Sequence, residues 1–339
     1  MNRYSRQILF EGIGQEGQKY LSKSHVTIVG CGAIGSASAE ALARAGVGSL
    51  RIIDRDVVEP SNLHRQSLYD ETDAKNHLPK AEAAKRRLQM LNSELQIEAI
   101  VRDVSSTNTE HLLEGTDLVL DGTDNFETRF IINDACIKRS IPWIYAAAVS
   151  SYGLTMTVIP EKTPCLRCIF EQLPPPASAP TCETAGVILP IISSISAIQV
   201  TEAIKILIRR YELLHKSLVQ LDIWKNRYVK IDVTNARSKD CICCSRKIFD
   251  YLSQPQSLVA TLCGRNTVQV VPNAGFKIDL KQLAEKLRPH GEVQINRFLL
   301  RFKLPEGYEL TIFPDARSLI HGTADTTTAR SIYAKFVGA

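Results

Sequence analysis

The stretch HVTIVGCGAIG, residues 25–35, decides the fold of this chain. Its first five residues have the apolar character of a buried β-strand, and the alanine-rich run 33–45 that follows has helical spacing. Gly30, Gly32 and Gly35 form a GxGxxG pattern between them. In such a pattern the first glycine allows a tight turn, the second lets a phosphate approach the backbone, and the third lets helix and strand pack closely. The stretch therefore predicts a nucleotide-binding strand–turn–helix unit.

Strands and helices are expected to alternate through the rest of the first 150 residues. The expected strands are 50–53, 97–101, 118–120 and 143–146, and the expected helices are 80–91 and 126–139. This alternation predicts an α/β fold with a doubly wound, mainly parallel sheet. Residues 153–159 and 218–231 are more typical of hairpins, so we expect an antiparallel extension of the sheet.

Length and composition are those of a globular protein with two domains. The chain has 339 residues, of which 44% are hydrophobic and 23% charged. The alternating rhythm stops after a late cysteine pair, so we predict a domain at 1–245 and a small α+β domain at 246–339. Within the second domain we expect strands near 268–271, 298–303 and 309–313 and helices at 280–287 and 327–336. The proline-rich segment 173–180 predicts a loop, because proline lacks the amide donor.

Charge and hydropathy argue against several classes of partner. The net charge of +5 is mild and not clustered, so we expect neither nucleic acid nor membrane binding. The N-terminus has no secretory signal, and the apolar stretch 187–200 is short and contains serine, which favours a buried helix. We expect a cytoplasmic protein, a reducing setting in which paired cysteines hold metal more often than they form disulfides.

A polar stretch, DRDVVEPSNLHRQ, follows the second expected strand at residues 54–66. Its candidate ligand-binding side chains are Asp54, Asp56, Asn62, Arg65 and Gln66. Asp54 ends the strand, where a carboxylate can hold ribose hydroxyls. An arginine fork binds phosphate oxygens in pairs, so Arg65 favours ATP over a nicotinamide dinucleotide. The alternative is a solvated loop capped by Ser61 or Asn62.

Two further positions are candidates for phosphate and magnesium binding. Lys80 opens a helix after Pro79 and can reach a phosphate as a point charge, although surface lysines are common in first turns. DGTDN, residues 121–125, lies between a strand and a helix, at the sheet edge where ligands bind in this fold. Asp124, with Asn125 beside it, is the magnesium candidate, because Mg²⁺ prefers one or two carboxylates with phosphate oxygens. The alternative is that Asp124 only caps the next helix.

Two CxxC pairs, Cys165/Cys168 and Cys241/Cys244, predict a structural zinc site. Each pair presents two thiolates, and two pairs complete a tetrahedral site with no open position. Such a site would join the two segments of chain. Cys243 is interleaved in the second pair, but the spacing favours Cys241 and Cys244.

Cys182 belongs to neither pair. It follows the proline-rich segment and precedes a helical run, and a thiol near a helix N-terminus has more thiolate character. This position fits a nucleophile or sulfur carrier, and the alternative is an inert cysteine. Cys31, Cys136 and Cys263 are interpreted as small core or loop residues.

The order of these motifs resembles one enzyme family. RYSRQ at 3–7, GCGAIG, SNLHRQ, DGTDN, PCLRC, TCETAG and the final CxxC resemble the ThiF/MoeB/HesA family, prokaryotic relatives of ubiquitin-activating enzymes, over about residues 1–245. The resemblance implies ATP- and Mg²⁺-dependent adenylylation of the C-terminal glycine carboxylate of a small ubiquitin-fold sulfur carrier such as ThiS or MoaD, which ends in Gly-Gly. It also implies pyrophosphate release and a homodimer, with a sulfurtransferase as a further candidate partner.

The resemblance also implies roles for individual residues. The glycine loop and Asp54 would hold adenosine, and Asp124 would hold Mg²⁺. The phosphates would be bound by Asn62, Arg65 and Lys80. Arg6 would enter the partner subunit's site as an arginine finger. Cys182 matches a loop cysteine that bonds to the carrier in some members and is dispensable for adenylation in others.

The C-terminal part of the chain is expected to have a role of its own. Residues 246–339 lack a rhodanese active-site loop, since LCGRN at Cys263 is too short for one, and resemble the extension of longer bacterial members. We expect this part to dock the carrier or support the dimer.

Two other functions are alternatives for the whole chain. A nicotinamide-dependent oxidoreductase would leave Arg65, Lys80 and the cysteine pairs unused. A non-catalytic ATP-binding scaffold would not need the full set of Arg65, Lys80 and Asp124. Thiamine and molybdopterin biosynthesis both use such activators.

Overall fold

The computed structural model describes residues 3–173, 181–253, 259–261, 266–272 and 277–338. They divide into two compact units, Met1–Gln254 and Pro255–Ala339. The proline-rich residues 174–180 and Cys263 lie outside the described residues.

The first unit is built on an eight-stranded sheet with the order β3-β2-β1-β4-β5-β6-β7-β8. Its strands are β1 His25–Val29, β2 Ser49–Asp54, β3 Gln96–Val101, β4 Leu118–Asp121, β5 Trp143–Val149, β6 Tyr152–Val158, β7 Ser217–Asp222 and β8 Arg227–Asp232. Strands β1 to β5 pair in parallel, and β6, β7 and β8 extend the sheet antiparallel. The predicted α/β fold, with its antiparallel extension, is confirmed.

Helices cover both faces of this sheet. They are α1 Ser5–Ile8, α2 Gly14–Leu21, α3 Ala33–Ala45, α4 Glu71–Lys75, α5 Lys80–Leu91, α6 Thr109–Leu112, α7 Phe126–Arg139, α8 Leu166–Ile169, α9 Cys182–Ala185, α10 Leu189–Leu207 and α11 Asp250–Ser253, with short 3₁₀ turns at Pro60–Asn62 and Tyr211–Leu213. On one face, α3, α5 and α10 pack with Val26 and Ile28; on the other, α7 packs with Val119 and Trp143. Successive strand residues thus point into two separate apolar cores.

Local signals explain where the key helices begin and end. Helix α3 ends at Gly46, whose φ of 83° is left-handed and suits glycine. Helix α7 begins at Asn125, whose side chain accepts a hydrogen bond from the backbone N of Thr128 at 2.8 Å. The interpretation of Asp124 as the cap of this helix is therefore wrong, because the helix is capped by the following residue, Asn125.

Helix α10 alone, among the described residues, is long and apolar enough to span a membrane by length and composition. Half of its most apolar window is buried inside the protein. It packs against α3 and against the sheet at β5 and β6. These contacts are those of a core helix, as predicted from its serine content.

The second unit has a six-stranded antiparallel sheet with the order β11-β12-β13-β14-β10-β9. Its strands are β9 Val259–Thr261, β10 Thr267–Val270, β11 Glu292–Ile295, β12 Leu300–Lys303, β13 Glu309–Ile312 and β14 Ser318–His321, and its helices are α12 Leu280–Leu287 and α13 Thr326–Phe336, with a 3₁₀ turn at Arg288–His290. Asp279 and Asp325 cap the two helices. Phe302, Leu310 and Ile320 are fully buried in its core. This is a small α+β fold.

Candidate functional site

The glycine loop joins β1 to α3 at the carboxyl edge of the parallel strands. A Cβ at Gly35 would lie 1.9 Å from the carbonyl oxygen of Gly30, and one at Gly30 would lie 2.7 Å from that of Gly122. These two glycines are required by backbone packing. A Cβ at Gly32, in contrast, would make only ordinary van der Waals contacts with the described residues, the nearest being Nε2 of Gln66 and the carbonyl oxygen of Gly122, both at 3.9 Å. Gly32 is also partly exposed, so a ligand can reach this face of the loop.

The N-terminus of α3 adds a favourable field at this open face. Its N-cap is Gly32, which provides no side-chain hydrogen bond to the first turn. The first N–H groups of a helix have no intrahelical partner, and the helix dipole places partial positive charge there. The site is therefore suited to phosphate oxygens.

Asp54, at the end of β2, holds the glycine loop in place. Its Oδ2 accepts a hydrogen bond from the backbone N of Cys31 at 2.6 Å, and its Oδ1 accepts one from the backbone N of Asp56 at 2.7 Å. Burial raises the pKa of this carboxyl group above its ordinary value, although Lys80 and the two backbone hydrogen bonds oppose that effect. Asp54 thus has a structural role beside the ribose contact predicted for it.

Lys80 is a buried cation rather than a surface lysine. It is 3% exposed, and its Nζ lies 3.1 Å from Oδ2 of Asp56. Its backbone N also donates to the carbonyl oxygen of Asp56 at 2.9 Å. Because a buried charge is costly without a partner, this pair fixes the ammonium group beside the carboxyl edge of the sheet.

The 3₁₀ turn at Pro60–Asn62 brings the next polar residues to the same edge. Asn62 is 2% exposed, and its Oδ1 accepts from the backbone N of Glu59 at 3.1 Å. Gln66 is also buried, and its Oε1 accepts no hydrogen bond from any residue that the structure describes. Arg65 is partly exposed and donates from Nη1 to the carbonyl oxygen of Ser61 at 2.8 Å. Because Asn62 and Gln66 are buried, the stretch 54–66 is not simply a solvated loop.

The DGTDN loop lies directly against the glycine loop. A Cβ at Gly122 would be 2.2 Å from the carbonyl oxygen of Gly30, so the two backbones touch. Asp121 is fully buried, whereas Asp124 is exposed. An exposed carboxylate beside a phosphate-binding loop fits the magnesium role predicted for Asp124.

The two remaining candidates lie on short helices. Arg6 is an exposed residue of α1. Cys182 is the first residue of α9, is partly buried, and donates a long hydrogen bond from Sγ to the carbonyl oxygen of Ala148 at 3.4 Å. Their roles toward a partner subunit and a carrier stay predictions.

The four cysteines of the two CxxC pairs converge on one point. Their sulfur atoms all lie within 4.8 Å of one another. Cys165 Sγ is 3.6 Å from that of Cys241, and Cys168 Sγ is 3.5 Å from that of Cys244. Tetrahedral zinc with Zn–S bonds of about 2.3 Å requires sulfur atoms about 3.8 Å apart. The donor set and its spacing therefore fit zinc.

Cys243 lies outside this cluster, as its spacing predicted. It is fully buried, and its Sγ accepts a hydrogen bond from Nδ2 of Asn133 at 3.3 Å. Oδ1 of Asn133 accepts from the backbone N of Leu166 at 2.9 Å. Asn133 therefore ties α7 to both CxxC segments, a role that the sequence did not indicate.

Two further buried side chains around the DGTDN loop were missed by sequence reasoning. Arg129 of α7 donates from Nε to Oδ2 of Asp121 at 3.1 Å. Gln199 of α10 donates from Nε2 to the backbone oxygens of Asp121 at 2.9 Å and Ile144 at 3.0 Å. Each is a polar residue within an apolar helical run, and the sequence alone gives no sign that its side chain is buried.

Comparison with known proteins places this geometry in a family. Residues 4–243 match the sequence profile of the ThiF family. A Bacillus subtilis (strain 168) protein named sulfur carrier protein ThiS adenylyltransferase is 45% identical over 338 residues, covering 99% of both chains. A Haloferax volcanii protein named SAMP-activating enzyme E1 is 38% identical over 222 residues, covering 66% of this chain and 81% of that one. A crystal structure of E. coli MccB with ATP superposes with a TM-score of 0.62 at 25% identity, covering 72% of this chain and 74% of that one. This chain therefore belongs to the ThiF family.

Proposed function

We propose that this protein is an adenylyltransferase that activates the C-terminal glycine carboxylate of a small ubiquitin-fold sulfur carrier, using ATP and releasing pyrophosphate. The observation that carries the proposal is the open face of the glycine loop at Gly32, with the buried Lys80–Asp56 pair and the exposed Asp124 at the same sheet edge. The full-length similarity to the Bacillus subtilis ThiS adenylyltransferase supports the choice of a ThiS-like carrier.

The chemistry requires positioning and charge stabilisation rather than a side-chain base. A C-terminal carboxylate has a pKa of about 3.3, so the nucleophile is already ionised at neutral pH. One of its oxygens attacks the α-phosphorus of ATP, the bond from that phosphorus to the bridging oxygen breaks, and pyrophosphate leaves. The product is a carrier acyl adenylate. The N-terminus of α3, Lys80, Arg65 and Asn62 would stabilise the negative charge on the phosphates.

A magnesium ion would be held by Asp124 with phosphate oxygens, and it would neutralise charge on the leaving pyrophosphate. We assign the adenosine moiety to Asp54 and the adjoining part of the glycine loop, with the phosphates at the face of the loop beside Gly32. Arg6 would complete the site of the partner subunit in a homodimer. This predicts that an Arg6→Ala chain mixed with an Asp124→Asn chain recovers activity in the heterodimer, since one intact site remains.

Zinc in the four-cysteine cluster would be structural, because all four positions are filled by thiolates. Such thiolates require a reducing compartment, which supports a cytoplasmic location. After adenylation, the Cys182 thiolate would attack the acyl carbon of the carrier adenylate and form a thioester as AMP leaves. Alternatively, it would attack the outer sulfur of a sulfurtransferase persulfide and become a persulfide itself, while the donor cysteine leaves as a thiolate. A Cys182→Ala protein that retains both adenylation and sulfur transfer would remove this residue from the mechanism.

We further propose that the C-terminal part of the chain, expected as a domain at 246–339 and forming a compact unit from Pro255 onward, docks the carrier or supports the dimer. The independent antiparallel sheet within Pro255–Ala339 supports a separate module. A chain ending at Ser253 should bind the carrier more weakly or change its oligomer size. Unchanged values of both would contradict this assignment.

The experiment that tests the proposed function is ATP–pyrophosphate exchange with the purified protein, Mg²⁺ and a panel of carriers ending in Gly-Gly. We expect exchange that depends on one carrier, which would also identify the pathway. Absence of exchange with every carrier, in a folded and zinc-loaded protein that binds ATP, would favour the scaffold alternative. Binding of NAD without ATP binding would favour the oxidoreductase alternative.

A further inference from the structure

The DGTDN loop is held by a buried charged side chain, Arg129 of α7. Arg129 is 5% exposed and Asp121 fully buried, so their ion pair is shielded from solvent. Thr123 donates to Oδ1 of Asp121 from both its backbone N, at 2.8 Å, and its hydroxyl, at 2.7 Å. These hydrogen bonds to Asp121 fold the loop back on itself at Thr123, the residue before Asp124.

Arg129 closes this arrangement from the helix side. Besides Asp121, its guanidinium donates from Nη2 to the carbonyl oxygen of Thr123 at 2.7 Å and to that of Ala146 at 3.2 Å. The acceptor at Thr123 is the peptide group that leads directly into Asp124. A lysine could not span these three acceptors, because its ammonium is a single point donor group.

The guanidinium also lies over two aromatic rings. It lies 5.3 Å from the ring centroids of both Phe126 and Tyr145. Burial lowers the pKa of Arg129, but Asp121, Tyr145 and Asp124 together more than offset that effect, so the pKa lies above its ordinary value. The side chain is thus permanently charged and held rigidly against the DGTDN loop.

We propose that Arg129 is a positioning residue for Asp124: by fixing the Thr123–Asp124 peptide, it sets where the Asp124 carboxylate meets a divalent cation. This inference rests on the proposed function, because it concerns the Mg²⁺–ATP complex of the same site. Partners that orient a metal ligand typically change metal affinity or activity by about 10–100-fold when they are removed.

The test measures ATP binding by calorimetry across a series of Mg²⁺ concentrations, in the full-length protein. The variants are Arg129→Lys and Arg129→Met, and the control is Arg139→Met. Arg139 ends the same helix, and among the described residues its ion pairs are with Glu110 and Glu114 at the surface. We expect the Mg²⁺ concentration for half-maximal ATP binding to rise about 10–100-fold in Arg129→Met. The rise should be smaller in Arg129→Lys and absent in the control.

Two further results separate positioning from a general loss of structure. In an Asp124→Asn background, Arg129→Lys should cause no further change in Mg²⁺ dependence, since the residue acts through Asp124. If Arg129→Met does not fold, Arg129→Lys and this double variant decide the question. A folded Arg129 variant with wild-type Mg²⁺ dependence would overturn the inference. A wild-type protein without Mg²⁺-dependent ATP binding would instead overturn the proposed function.

Discussion

Replacing Gly32 with alanine should separate nucleotide binding from the packing of the glycine loop. A Cβ at this position would have 3.9 Å to its nearest protein atom, so the folded chain has room for the methyl group. Alanine is a poorer N-cap than glycine, which should lower the free energy of unfolding by about 1 kcal/mol at most. The methyl group would, however, occupy the face that a phosphate must approach.

The expected loss of ATP affinity follows from this crowding. Forcing an extra methyl group into a filled contact costs about 1–3 kcal/mol. At about 1.4 kcal/mol for each factor of ten, ATP binding should weaken roughly 5–150-fold. Calorimetric titration with ATP and Mg²⁺ measures the affinity, and urea unfolding measures the stability.

Gly35→Ala is the matched variant with the opposite profile. Its Cβ would lie 1.9 Å from the carbonyl oxygen of Gly30, where no flexible side chain can move away. We expect the free energy of unfolding to fall by about 3 kcal/mol or more. A Gly32→Ala protein that binds ATP as tightly as the wild type would refute the placement of phosphate at this loop. Equal destabilisation by both substitutions would refute the packing argument.

Three other predictions concern the cysteine cluster, Lys80 and His215, whose side chain is 8% exposed and lies 3.6 Å from Glu202 of α10. Cys168→Ser should release zinc and destabilise the first unit by about 4 kcal/mol or more, whereas Cys243→Ser should keep zinc, as metal analysis and thermal unfolding would show. Lys80→Met should lower kcat/KM for ATP by about 10²–10³-fold, because a buried cation is lost, whereas the exposed control Lys75→Met should retain wild-type kinetics. Burial lowers the pKa of His215 below its ordinary value of 6.5, so the folded state favours the neutral ring. The stability from His215 should be complete above pH 6.5 and decline as the pH falls below it, and urea midpoints of a His215→Gln protein should lack that decline. Zinc retained in Cys168→Ser, wild-type kinetics in Lys80→Met, or an unchanged pH slope in His215→Gln would each contradict its prediction.

Sequence patterns located the elements whose signals are local. Helices α3, α5, α7 and α12 have the bounds that were predicted from helical spacing. Strands β11 and β14 were not predicted. Residues 292–295 alternate between polar and apolar side chains, but the run has only 4 residues and is largely exposed. Strand β14 is as short, and besides the neighbouring β13 it pairs with β10, which lies far away in the chain.

The same distinction applies to the candidate site. Spacing along the chain was enough to select the four clustered cysteines and the glycine loop. It could not show that Lys80 is buried against Asp56, since that pair forms only when the second strand and α5 meet. Arg129 and Gln199 look like solvent-facing helix residues in the sequence, and only the packing of α7 and α10 on the sheet turns them inward.

Intact-mass spectrometry of the carrier after incubation with this protein, ATP and Mg²⁺ tests the central claim most directly. The account predicts a carrier whose mass increases by one adenylate, in wild-type protein but not in Asp124→Asn or Lys80→Met. A carrier that binds the protein but gains no mass while ATP stays intact would contradict carrier adenylylation.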